Sequence, residues 1–430
     1  MKLPVLWLFV LCVLSCGGKP EPGAPSVAPD LPGAEFPAEG REAAASLPAA
    51  SLLASSMTMT AVQDQAARIA ASLDDRLLAA QVIMTGIEGK GALSGAMREL
   101  LARIPAGSVM LFSYNLDTAA GIRSLLEETS SLVAASSGNA AGGPGGIAPF
   151  IAVDHEGGPV NRFGAAMEGA AMEGAVSLPP AASFWVMAQR EGRAAALEAV
   201  GAAARRSGRE LRKLGITMNL APVAEVLSEE NRRFLADRSY GPDPGFVEQA
   251  AAAFIGGMEA EGICCTLKHF PGNSGADPHL GAVLLTGDRD ALRSGVRPFA
   301  ALIRRPAPPA MMVSHAVVPA WDGERNASLS PAVIQDWIRG ELGFQGILAA
   351  DDFSMASAAG MDPREAAVEA LRAGIDMVMT WPPELSHTHG AILSALEEGR
   401  LSRERVREAA ARILAEKIRY GIYAPDWDRD

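Results

Sequence analysis

Apolar residues in this chain gather into short runs, several of which end on a polar group. Between the runs lie longer stretches whose apolar positions recur at helical spacing. The runs are 81–85 (QVIMT), 108–113 (SVMLFS), 150–154 (FIAVD), 216–220 (ITMNL), 263–268 (ICCTLK), 310–314 (AMMVS), 347–351 (ILAAD) and 376–380 (DMVMT). Runs of this length and character predict buried strands. Stretches at 194–214, 246–261, 288–304, 330–342, 364–373 and 403–420 are rich in Ala, Leu, Glu and Arg and predict helices. The alternation predicts an α/β fold built as a TIM-like (β/α)8 barrel in a single catalytic domain over 57–430. A doubly wound open sheet competes with it. No GxGxxG follows the first strand, however, and no P-loop pattern occurs. GGPGG at 142–146 precedes a strand and opens no helix, so it reads as a flexible connection and not a phosphate cradle.

In such a barrel the chemistry collects at the C-terminal strand ends. Here those ends carry Asp154, Asn219, Lys268 with His269, Ser314 with His315, and Asp351. The densest cluster is LKHFPGNSGADPH at 267–279, where Pro271, Gly272, Gly275 and Pro278 forbid regular structure and leave Asp277 and His279 on a loop. A carboxylate two residues before an imidazole can hold its ring N–H and stabilise the imidazolium, which makes an acid/base device. The same residues also fit a strand cap and an exposed loop histidine. In ILAADD, alternation sends Asp351 with Ile347 and Ala349 toward the barrel axis and Asp352 elsewhere. Asp352, or Ser354 after it, suits the cap of the next helix. Asp351 and Asp154 could share acid–base or nucleophile–acid work, or divide it between reaction and hydroxyl binding.

Composition changes the picture at two points. Net charge is −12 with no basic stripe, which argues against a nucleic-acid partner. Of four cysteines, Cys264 and Cys265 are adjacent in an apolar run and Cys12 and Cys16 sit near the start, so no disulfide framework is expected. Lys2 followed by LPVLWLFVLCVLS predicts an export signal over 1–15, too short for a persuasive membrane span. Val13 to Cys16 resembles a bacterial lipobox, which predicts lipidation at Cys16 and a cell-envelope location. The Pro-, Ala-, Gly- and Glu-rich stretch to residue 56 reads as a disordered tether.

With these stretches identified, the chain resembles the bacterial β-N-acetylhexosaminidases of family three of the glycoside hydrolases, from about residue 72 to 423. The resemblance rests on AVDHEGGPVNRFG (152–164), LGITMNLAPVAEV (214–226), ADRSYGPDP (236–244), LKHFPG with DPH, and ILAADDFSM, all in family order. It implies that Asp351 is the nucleophile of a retaining double displacement and that His279, oriented by Asp277, is the acid/base. It further implies that Asp154, Arg238, Lys268 and His269 hold a non-reducing N-acetylglucosamine, with no cofactor or metal. Three departures stand out: Pro159 where the family has Arg, with Arg162 nearby; a shortened loop with Asn273 in place of His; and Pro278 inside the dyad. The lack of sequence for a further domain after Tyr423 resembles the single-domain branch, expected to be monomeric. The implied role is exo-hydrolysis of muropeptide or chitooligosaccharide ends. Two readings compete: a metal-dependent hydrolase using the HxH of His387 and His389 with Asp351 or His315, and a non-catalytic carbohydrate-binding surface lipoprotein.

Overall fold

A computed structural model describes residues 58–138, 146–163, 177–275, 277–304, 309–355 and 360–425. The expected export signal, Cys16 and the tether lie outside the described residues, as does most of the 142–146 glycine run. Every apolar run becomes a strand of one sheet: β1 Ile83–Gly86, β2 Ser108–Leu111, β3 Phe150–Val153, β4 Met218–Asn219, β5 Cys264–Phe270, β6 Ala310–Val313, β7 Ile347–Ala350 and β8 Val378–Thr380. Strands pair in parallel in the order β7 through β1 and then β8, so neighbours in the sheet are neighbours in the chain except where β8 returns to β1. Closure comes just ahead of β8, where Met377 bridges Ala349, its N–H donating to the Leu348 carbonyl at 3.0 Å while Ala350 N–H donates to Met377 at 2.9 Å. The predicted (β/α)8 barrel is the architecture observed.

The surrounding helices follow from ordinary start and stop chemistry. Asp243 caps Pro244–Glu259 by accepting the Phe246 N–H at 2.7 Å, and Pro244 supplies a first-turn residue that needs no N–H. That helix buries Phe246, Val247, Ala250, Phe254 and Met258. It lies so close to Arg193–Leu214 that a Cβ on Gly257 would come within 2.5 Å of the Gly201 carbonyl. One expected helix is divided. The stretch 288–304 forms Arg289–Gly295 and Arg297–Ile303, because Pro298 has no N–H to continue the ladder and its ring would strike the carbonyl four residues back.

The N-terminal end of the barrel carries buried charge. Asp376 is fully enclosed and accepts from Arg339 at 2.6 Å, Arg412 at 3.0 Å, Arg405 and the Leu348 N–H. Burial alone would raise its carboxyl, but the three guanidinium groups outweigh that and hold it below the usual range. Lys417, on helix Arg403–Arg419, is equally enclosed, with Nζ donating to Gln81 Oε1 at 2.9 Å. No helix among the described residues is long and apolar enough to cross a membrane.

Candidate active site

The first wall of the site grows from β3. Directly after Val153 the chain turns into a small hairpin, His155–Gly157 against Val160–Asn161, whose corner uses left-handed Gly157 (φ +95) and Gly158 (φ +56). Asn219 at the end of β4 clamps it, accepting the His155 N–H at 3.0 Å and donating to the His155 carbonyl at 2.9 Å. Asn219 is therefore a structural strand end. Asp154 and Glu156 are left facing one cation, with Lys268 Nζ 2.7 Å from Asp154 Oδ1 and 2.6 Å from Glu156 Oε1. Arg238 forks onto Glu156 through Nε at 2.8 Å and Nη2 at 2.9 Å, and Arg162 donates to Asp154 at 3.2 Å. Burial pushes both carboxyls up. Arg238 and Lys268 overcome this at Glu156, holding it well below the ordinary carboxylate range, and Lys268 and Arg162 at Asp154, holding it below that range. Lys268 is held charged by the same pair against the pull of its own burial.

Lys268 and His269 are adjacent in β5, and a regular strand would send them to opposite faces. The register with β6 shifts between Leu267 and Phe270, which breaks that alternation. His269 Nδ1 sits 2.6 Å from Glu225 Oε1, and its Nε2 is 3.5 Å from Arg238 Nη2. After Pro271 the chain forms the expected dyad. Asp277 Oδ1 accepts the His279 N–H at 2.9 Å and lies 2.7 Å from His279 Nδ1. A carboxylate only accepts, so Nδ1 carries hydrogen toward it and Nε2 is the outward atom. Phe234 ties dyad and cluster together, with its ring 6.4 Å from His269 and 6.5 Å from His279 and the Arg238 guanidinium 5.0 Å above it.

Across the mouth, four strands round from β3, Asp351 follows the last residue of β7, its N–H donating to Val313 of β6 at 3.1 Å and its Oδ1 accepting the Asp352 N–H at 2.9 Å. Among the described residues Asp352 caps no helix, and 356–359, just beyond Ser354, lie outside them. Asp352 accepts from Ser354 N–H at 2.8 Å, Ser354 Oγ at 2.7 Å and Trp381 Nε1 at 2.9 Å, and the next described helix, Pro363–Ala373, is capped by Asp362. Trp381 also packs on Phe112, which stacks on Tyr114, so the β2 and β8 ends present an aromatic rim. His315 is buried against Phe353, placed 2.8 Å from Ser328 Oγ and 3.1 Å from the Asp352 carbonyl, and its burial lowers its basicity despite Asp351 nearby. Ser314 donates to the Gly272 carbonyl at 3.1 Å and so braces the dyad loop.

The structure thus collects Asp154, Arg238, Lys268, His269, Asp277 and His279 into one network of contacts and sets Asp351 on the same rim. It separates the HxH pair: both histidines lie on helix Leu385–Glu397, His387 exposed beside Glu384 and His389 buried with Nε2 3.0 Å from the Arg76 carbonyl. From the sequence the pair also fits two solvated histidines at a helix start, and that reading fails for His389, which is buried. Sequence reading also missed Glu156, Glu225, Phe234 and Trp381. For Glu156 a signal existed, since it stands two residues from Asp154 and shares its side of an extended segment.

The sequence profile of the glycosyl hydrolase family 3 N-terminal domain matches residues 73–415. The chain belongs to glycosyl hydrolase family 3. This family 3 chain is 35% identical over 327 residues to the β-hexosaminidase of Methylococcus capsulatus, covering 74% of this chain and 88% of that one. It is 30% identical over 347 residues to β-hexosaminidase A of Pseudoalteromonas piscicida, covering 75% of this chain and only 55% of that protein's length. The solved family 3 β-N-acetylglucosaminidase of a Paenibacillus strain superposes with a TM-score of 0.73 at 29% identity, over 81% of this chain and 63% of that one. A family 3 member from Mycobacterium smegmatis superposes at 0.67 and 29% identity, over 81% and 98%. The family 3 chain is a glycoside hydrolase of the bacterial β-hexosaminidase group.

Proposed function

We propose that this chain is a retaining, exo-acting β-N-acetylglucosaminidase that removes terminal β-linked N-acetylglucosamine from muropeptides or chitooligosaccharides. Asp351 attacks the anomeric carbon and forms a glycosyl ester as the glycosidic C–O bond breaks, and His279 Nε2 gives its proton to the leaving oxygen. His279 then takes a proton from water, which attacks the same carbon and releases Asp351. Asp154, Arg238, Lys268 and His269 grip the sugar hydroxyls. Asp277 keeps the imidazole in the tautomer that leaves Nε2 free for the proton. The observation that most supports this is the Asp277–His279 pair at 2.7 Å, linked through Phe234 to His269 and Arg238 on the rim that also bears Asp351.

The test is turnover of 4-nitrophenyl N-acetyl-β-glucosaminide. Activity in the wild type, its loss in Asp351→Ala, and a 2-fluoro sugar covalently bound to the peptide containing Asp351 are expected. A fully active Asp351→Ala overturns the assignment. We place the protein at the cell envelope through a lipid on Cys16, supported by the lipobox-like Val13 to Cys16. Cys16→Ser should release it from the membrane fraction, and unchanged fractionation overturns that placement.

A further inference from the structure

Glu225 stands where the sugar-gripping part of the site meets the part that moves protons. It lies beyond the end of β4, and its side chain is only 2% exposed. Its Oε1 is 2.6 Å from His269 Nδ1 and accepts the His269 backbone N–H at 3.3 Å. Its Oε2 accepts the Asn273 N–H at 2.7 Å, and the Asn273 side-chain amide reaches Oε1 at 3.2 Å. Because a carboxylate only accepts, His269 must give it Nδ1–H, which fixes the ring plane and presents Nε2 toward Arg238. The same carboxylate holds Asn273, on the stem of the loop that carries Asp277 and His279. That loop is seated on the segment following β4 at two further points. A Cβ on Gly275 would fall 2.4 Å from the Glu230 carbonyl, and Phe234 touches both histidine rings.

We infer that Glu225 is a positioning residue, one buried carboxylate that sets the sugar-binding face of His269 and the placement of the His279 loop together. The inference rests on the glycosidase reading of the site above. A group misplaced by about 1 Å loses on the order of 100-fold in rate, so a shared anchor should be felt in both functions.

The experiment compares wild type, Glu225→Gln and Glu225→Asp on 4-nitrophenyl N-acetyl-β-glucosaminide and on diacetylchitobiose. Nitrophenolate leaves without help, whereas a sugar alcohol needs the proton of His279. Glu225→Gln is expected to raise KM on both substrates. Its kcat/KM should fall on the order of 10-fold further on chitobiose than on the nitrophenyl substrate. Glu225→Asp, which keeps the charge, should recover part of both effects. Equal losses on the two substrates with unchanged KM would mean only fewer folded molecules and would overturn the inference. Should Glu225→Gln not fold, Asn273→Ala is the second variant, since it spares the His269 contact. It should widen the substrate ratio at unchanged KM, and an unaltered ratio overturns the inference. A wild type inactive on both substrates overturns the glycosidase reading and this inference with it; an active wild type with insensitive variants overturns only the role of Glu225.

Discussion

At the residue scale the decisive fact is that Glu156 and Asp154 stay ionised inside protein because Lys268, Arg238 and Arg162 are fixed against them. Removing one member of such a network leaves its partners buried without full compensation, which costs about 3–5 kcal/mol. Glu156→Gln should therefore lower stability on that order and weaken sugar binding, read by thermal unfolding and KM. The pH dependence has a definite sign. Both carboxyls are depressed in the folded state, so their stabilisation is complete above the unfolded-state values near 4 and is lost as pH falls through the folded values. Unfolding midpoints measured below pH 5 should fall less steeply in Glu156→Gln than in the wild type; identical slopes refute the charged network. Asp154 was legible in the sequence because it ends an apolar run. Glu156 carried a weaker signal, its spacing of two from Asp154 along the hairpin strand His155–Gly157; Glu225 carried none, because it follows β4 in an irregular segment, where nothing local separates an enclosed carboxylate from a solvated one.

At the element scale the strand runs were legible almost residue for residue, because a strand buried on both faces has to be continuously apolar. The helix at 288–304 was misjudged where Pro298 interrupts it, although the proline was visible. Helix Arg403–Arg419 hid something else, since Lys417 falls on its apolar face. The residue is fully enclosed, its cation lies 5.9 Å from the Phe150 ring, and burial pulls its pKa down to about 7. A lysine depressed on folding costs nothing above its ordinary value near 10.4. The cost grows as pH falls toward 7 and is constant below that. Lys417→Met should therefore stabilise the protein by about 3–5 kcal/mol at pH 7 and by progressively less up to pH 10. Chemical denaturation at several pH values measures it, and a gain independent of pH would refute the buried-amine account.

At the scale of the whole barrel, the two ends of the strands do different work. The C-terminal rim holds Asp154, Asp351 and the loops bearing Arg238 and His279, whereas the opposite end holds Asp376 enclosed by Arg339, Arg405 and Arg412. Closure of the sheet makes both possible, because it aims one end of every strand at a single mouth and leaves the other end free to be riveted. Stability and activity should therefore be separable by end. Asp376→Asn withdraws the one carboxylate that three guanidinium groups share, and about 3–5 kcal/mol should be lost. The fraction that remains folded should keep the wild-type KM on 4-nitrophenyl N-acetyl-β-glucosaminide. Asp351→Ala should do the reverse, abolishing turnover while leaving the unfolding midpoint within about 0.5 kcal/mol of wild type or above it, since its carboxylate is only partly buried and no cation is paired with it among the described salt bridges. Measuring midpoint and KM on the same preparations decides the matter. An Asp376→Asn enzyme of normal stability but altered KM would mean that the two ends are coupled through the staves, and the division of labour argued here would fail.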